Sequence, residues 1–169
     1  MAQASATDPR DVAGRRRLHF DTVDAALADV DGLAVVQQQA KLRTLGNWTF
    51  GQILGHLSAW VDVSYGDKPL NIPAMPWMAR VILPLMKNRI LNKPMTPGRH
   101  IPRVSGGTVY ADPMPIEQGL SEFHRTFNRL RVEAPTRNNP MLGPLTHEEW
   151  IKLHLRHAEL HLSFLVPAE

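Results

Sequence analysis

Three histidines carry the clearest chemical signal in this sequence of 169 residues. His157 and His161 stand four apart in His157-Ala-Glu-Leu-His161, inside a segment whose apolar residues recur at helical spacing. Rings at i and i+4 project from adjacent turns of one helix face and can converge on one ion. Glu does not directly follow the first His, so the His-Glu-x-x-His motif of zinc proteases does not match. Two imidazoles hold a metal weakly, and His56 offers a third. It shares a face with Ile53, Trp60 and Val63, away from the polar side that Gly51, Gly55, Ser58 and Asp62 are expected to form. Three nitrogens with further positions open is the pattern of catalytic metal sites. The competing reading is three unrelated core histidines, each with one hydrogen bond.

Further candidates surround that set. His154 lies one turn before His157 and reads as a core residue, a fourth ligand or a general base. Gln52 precedes His56 by one turn; a capping role competes with orienting a ring or a bound water. Arg99 and Arg103 could bind an acidic cofactor. His19, His100, His124 and His147 look like surface or capping positions, and Trp48 and Trp60 read as core.

Composition narrows the chemistry. There is no cysteine, which excludes thiolate zinc sites, iron–sulfur clusters and a cysteine nucleophile. A metal here must use imidazole or carboxylate, and the absence of disulfides fits a cytoplasmic protein. Apolar residues make up 43% and charged residues 21%, as in ordinary globular chains. The net charge is +3, and the arginine clusters at 15–17 and 125–131 lack interleaved aromatics. They read as solvated faces, so no nucleic-acid partner is expected. No apolar run is long enough to span a membrane, and no membrane partner is expected.

The elements that must position these residues are mostly helical. Residues 1–17 read as a flexible tail without a secretion signal, and 18–167 as one domain. A first helix is expected from Asp21, bent or ended at Gly32 and resumed over 33–42. Thr49-Phe-Gly-Gln52 is a capping box that starts a second helix, stopped by Gly66. A short apolar helix follows over Trp77 to Leu91. Pro76 to Met86 and the Pro/Gly-rich stretch 93–113 could roof a pocket, and Val104 to Tyr110 could run extended. Pro115 opens a helix to about Ala134. Thr146-His-Glu-Glu149 is a second capping box, and on the last helix Lys152, Arg156, Glu159 and Ser163 fall on the side opposite the histidines. This order predicts an all-α four-helix bundle with a long crossover and one short inserted helix.

The stretch Gly46-Asn-Trp-Thr-Phe-Gly-Gln-Ile-Leu-Gly-His56-Leu resembles the DinB-like (YfiT-like) superfamily, together with Leu145-Thr-His-Glu-Glu-Trp150 and His157-Ala-Glu-Leu-His161-Leu-Ser-Phe164. The likeness runs from about Leu18 to Phe164. It implies a metal-binding four-helix bundle, often a homodimer, with His56, His157 and His161 holding zinc or nickel. It also implies a small-molecule substrate. Relatives include transferases using low-molecular-weight thiols and metal-dependent hydrolases, and a non-enzymatic binding module is the other alternative. Many relatives carry a further histidine where this chain has Leu160.

Overall fold

In the computed structural model, residues 8–168 are described except positions 71, 74–76, 102, 105 and 106 and the side chains of Trp77 and Arg80. The start of the expected tail (residues 1–7) and Pro76 of the expected roof lie outside the described residues.

The chain is mostly helical, with one two-stranded sheet. Helix α1 spans Val23–Gln38. Its cap is Thr22, not Asp21: the Thr22 hydroxyl accepts from the Ala25 N–H at 3.1 Å. Gly32 neither bends nor ends the helix, because it faces open space while Val30 and Leu33 on either side are buried. Ala40, at a φ of 55°, then turns the chain into strand β1, Leu42–Thr44, where helix was expected.

Helix α2 spans Phe50–Tyr65, between the expected Thr49–Gln52 capping box and a left-handed Gly66. Its supposed polar side is buried. Gly51, Gly55 and Ser58 form the seam against the start of helix α5, Ile116–Val132. A Cβ on Gly51 would lie 2.0 Å from the Met114 carbonyl oxygen, so only glycine permits this approach. Asp62, 4% exposed, sits on the same side and takes a bidentate pair from Arg125 of α5 at 2.8 and 3.1 Å. Stacked Phe123 and Phe127, at 4.0 Å, fill the core between these helices.

The connection from α2 to α5 carries two short helices rather than one. Helix α3 is Trp77–Leu85 and α4 is Lys87–Asn92, separated at Met86. Pro84 inside α3 has no N–H to donate, which weakens the ladder just before the break. Val104 to Tyr110 forms no strand among its described residues. Turns hold it instead, with Ile101 N–H donating to Gly107 O and Gly107 N–H to Val104 O. Pro115 caps α5 from outside instead of occupying its first turn.

Helix α6, His147–Leu162, starts at the Thr146–Glu149 capping box. Strand β2, Leu165–Pro167, follows and pairs antiparallel with β1, with Arg43 opposite Val166. Helices α1, α2, α5 and α6 share one core, to which each contributes fully buried residues such as Val30, Leu54, Phe127 and Leu162. The far side of α6 is also buried. Arg156, Glu159 and Ser163 are 5%, 6% and 3% exposed, because residues 15–20 lie across them. Arg16 pairs with Asp29 at 2.7 Å and donates to the Leu162 carbonyl at 3.1 Å. The end of the expected tail is therefore anchored to the helices.

Candidate metal centre

The two capping boxes fix where α2 and α6 begin, and so the angular position of every later side chain. His56 comes from the second turn of α2, and His157 and His161 from the last turns of α6. Their Nε2 atoms meet. His56 Nε2 lies 3.2 Å from His157 Nε2, which lies 3.0 Å from His161 Nε2. All three ligand atoms fall within 4.8 Å of one another. In a four-coordinate zinc site, ligand nitrogens stand about 3.3 Å apart. The three residues expected from the sequence are thus brought to one point.

The tautomer of His56 follows from its other nitrogen. Nδ1 is 3.0 Å from the Val109 carbonyl oxygen, which can only accept, so Nδ1 carries the proton and Nε2 presents a lone pair. A single N–H on His157 Nε2 could satisfy one neighbour and would leave the other facing a lone pair. A cation satisfies all three.

The rings are held neutral. Burial pushes His56 down to about 4, against the opposing bonds to the backbone at Val109 and Tyr110. His157 is lowered well below the ordinary histidine value by burial, then by His161, His56 and His154. His161 is lowered likewise by burial, His56 and Arg15. Neutral imidazole is the form that binds metal. The donor set therefore fits a divalent transition metal, and the half-buried His157 and His161 leave the cluster reachable from outside.

The surroundings include residues whose place in the site the sequence did not suggest. Trp48 stacks on His161, with centroids 5.1 Å apart and planes 7° apart, and tilts against His56 at 4.9 Å. Trp60 presents its edge to His56 and His157 at 6.4 and 6.3 Å, and Tyr110 stands edge-on to Trp60. The two tryptophans, expected as core, are half-buried walls of the site. Tyr110 holds a left-handed φ of 61° and donates its hydroxyl to the Pro69 carbonyl. Such a conformation costs on the order of 1 kcal/mol or more in a non-glycine residue and persists where its surroundings impose it. The hint for these residues was their nearness in sequence to the capping box and His56; nothing local pointed to Val109 or Tyr110.

The weaker candidates separate. Gln52 caps: its Oε1 accepts from Thr49 N–H at 2.9 Å, while its Nε2 donates to the Ala111 carbonyl at 3.1 Å. It thereby ties down the segment whose Val109 orients His56. His154 is buried and stacked on Trp150 at 5.6 Å, and its Nε2 has no partner among the described residues. It is a core residue, but not a satisfied one, and burial lowers it to about 4. Arg99 and Arg103 are exposed on the long loop. His147, His124 and His19 bond the Leu130 carbonyl, Asp31 and Arg156 respectively. The cover nearest the rings is the 109–111 segment, whereas α3 turns Met78, Val81, Ile82 and Leu85 outward.

Fold and site together define a helical protein with a three-histidine cluster that can hold a metal ion. The chain belongs to DUF1569, a family of proteins of unknown function, whose profile matches residues 12–168. Comparison with curated proteins and with solved structures gives no match.

Proposed function

We propose that this protein is a metal-dependent enzyme of DinB-like architecture. In this reading α1, α2, α5 and α6 form a four-helix bundle, His56, His157 and His161 hold zinc or nickel, and the reaction transfers a low-molecular-weight thiol to a small electrophile. The observation that carries this reading is the meeting of three Nε2 atoms, with His56 Nδ1–H already committed to Val109. When bound, such an ion supplies Lewis acidity that lowers the pKa of a thiol or water in an open position.

The protein's own residues do the rest. Val109 fixes the His56 tautomer, and Gln52 fixes the segment that carries Val109. Trp48, Trp60 and Tyr110 form an aromatic wall that excludes water and holds an apolar electrophile beside the rings. With no cysteine in the chain, a small-molecule thiol must bring the sulfur. No carboxylate is among the charges acting on His157 or His161, so no carboxylate base among the described residues stands ready to take a proton from water. A thiol, with a pKa near 8.5, needs less help.

A metal-dependent hydrolase is the second reading. It is favoured by His154, whose Nε2 has no partner among the described residues and whose ring acts electrostatically on His157. Elemental analysis of purified wild type beside His157→Ala tests the common premise: one bound divalent ion is expected in the first and none in the second. Equal metal in both ends either reading. Loaded protein offered small thiols with an electrophile, and separately activated esters, then decides between transfer and hydrolysis.

A further inference from the structure

Helix α3 carries an apolar ridge that the fold does not cover. Met78, Val81, Ile82 and Leu85 are 56%, 58%, 51% and 82% exposed, and Met86, at the break after the helix, is 39% exposed. The four on α3 are spaced i, i+3, i+4 and i+7, which places them within an arc of about 100°. Leu83, on another side, packs against the core and fixes the orientation of the helix. Single exposed apolar residues are ordinary on protein surfaces, but a stripe of four on one short helix, followed directly by Met86, is not.

Charge along the segment that bears the ridge is one-sided. Between Lys68 and Ala111 the sequence holds seven lysines and arginines and no aspartate or glutamate. The rest of the chain holds twelve basic residues against sixteen acidic ones. A protein of net charge +3 therefore concentrates its net positive charge on the segment that bears the ridge. Lys87 is paired with Glu149 at 2.7 Å. Arg89, Lys93, Arg99 and Arg103 are exposed, and no carboxylate pairs with them among the described residues.

We propose that α3 docks this protein on an anionic lipid surface. The ridge enters the boundary between headgroups and acyl chains, and the cations of α4 and the following loop meet lipid phosphates and carboxylates. No helix of the described residues is long and apolar enough to cross a membrane. The expectation of no membrane partner rested on the lack of a span, and a helix that lies on the surface is not subject to it. A second copy of this chain is the poorer occupant. Ridge-to-ridge pairing would press two acid-free basic segments together, which like-charge repulsion opposes. The docking does not depend on the metal reading, since no hydrogen bond, ion pair or ring contact among the described residues joins these residues to the histidine cluster.

Co-sedimentation with phosphatidylcholine vesicles, with and without phosphatidylserine, tests the proposal. Wild type is expected to pellet with the anionic vesicles, weakly with the neutral ones, and less as salt rises. Leu85→Glu is expected to reduce binding by at least tenfold. Arg89→Ala with Lys93→Ala should reduce it about fivefold per charge removed. Circular dichroism of each variant confirms the fold, which these exposed positions leave intact. Absence of wild-type binding to anionic vesicles, or equal binding by Leu85→Glu, overturns the proposal. So does a wild-type dimer in sedimentation equilibrium that Leu85→Glu dissociates, because a second copy would then own the ridge.

Discussion

Helix α6 buries polar groups on both its sides, and the two sides are built on opposite principles. On one, Arg156 and Glu159 pair at 2.7 Å; Glu159 also accepts from Phe20 N–H at 2.6 Å, and Arg156 donates to the Phe20 carbonyl and His19. Opposite charges cancel there and most donors meet acceptors, Arg156 Nε alone of that cluster having no partner among the described residues. On the other side, His157 and His161 face His56 with three nitrogens aimed at one point and no negative charge among the groups acting on them. One cluster balances its charge internally; the other is completed only by something added. Buried polarity alone does not mark a site. A surplus of lone pairs without donors does.

Arg15 lies between the two. It donates to Ser163 Oγ at 2.7 Å and covers the Phe164 ring at 4.2 Å, yet unlike Arg16 or Arg156 it has no carboxylate partner among the described residues, and its charge lowers His161. The N-terminal segment thus neutralises one face of α6 and leaves a net cation beside the other.

The contrast is broken most severely from the closed side. Glu159→Ala leaves Arg156 buried without its counter-charge and removes the acceptor for Phe20 N–H. A loss of about 3–5 kcal/mol in unfolding free energy is expected. Urea denaturation measures it, and metal content per folded molecule should hold. A change under about 1 kcal/mol would mean that the pair is not a closed unit.

On the open side the effects reverse. His157→Ala should lower metal affinity by more than about a hundredfold, beyond what losing an outer partner of a ligand costs. The metal-free variant should unfold within about 2 kcal/mol of metal-free wild type, because the cavity left is offset by removing a desolvated imidazole. Competition with a chelating dye and denaturation in chelator read the two quantities separately.

Acid sharpens the same contrast, in the metal-free protein. His56 and His154 titrate near 4 when folded, below their ordinary 6.5, so the unfolded chain binds more protons in between. Stability is then complete above about pH 6.5 and falls as pH drops toward 4, by on the order of 3 kcal/mol for each ring. Glu159 runs the other way. Its carboxyl is raised by burial, so its contribution falls as pH rises through that folded value. His154→Phe keeps the stack on Trp150 and should flatten the acid limb in pH-dependent denaturation, with metal content unchanged. An unaltered limb would show that this ring is not desolvated.

Much of the site was legible because it depends on local rules. Two capping boxes set the helix starts, and the i, i+4 spacing sets His157 beside His161. What failed depended on distant chain. The side of α6 bearing Arg156 and Glu159 reads as solvent-facing until residues 15–20 are laid across it. Gly51, Gly55 and Asp62 read as polar until α5 packs there. Strands β1 and β2 are three residues each, far apart in sequence, and neither has a pattern long enough to announce a partner. Val109 and Tyr110 reach the site through backbone geometry of a long loop, which residue types alone do not encode.

The smallest change is the most selective, because it separates Gln52 as a cap from Gln52 as a tether. Gln52→Glu keeps an oxygen for Thr49 N–H, and Glu at this position completes a capping box as well as Gln does. It removes the Nε2 donor that holds the Ala111 carbonyl and sets a carboxylate against that oxygen. Helix α2 should therefore stay put, with unfolding free energy moving by less than about 1 kcal/mol. The 109–111 segment should loosen, and with it the Val109 bond that presents His56 Nε2 as a lone pair. Metal affinity is expected to fall about tenfold, the lower end of what losing a ligand's hydrogen-bond partner costs. Gln52→Ala, which removes cap and tether together, should lose both stability and affinity. If Gln52→Glu binds metal as wild type does, the loop does not orient His56, and the cluster owes its tautomer to the helices alone.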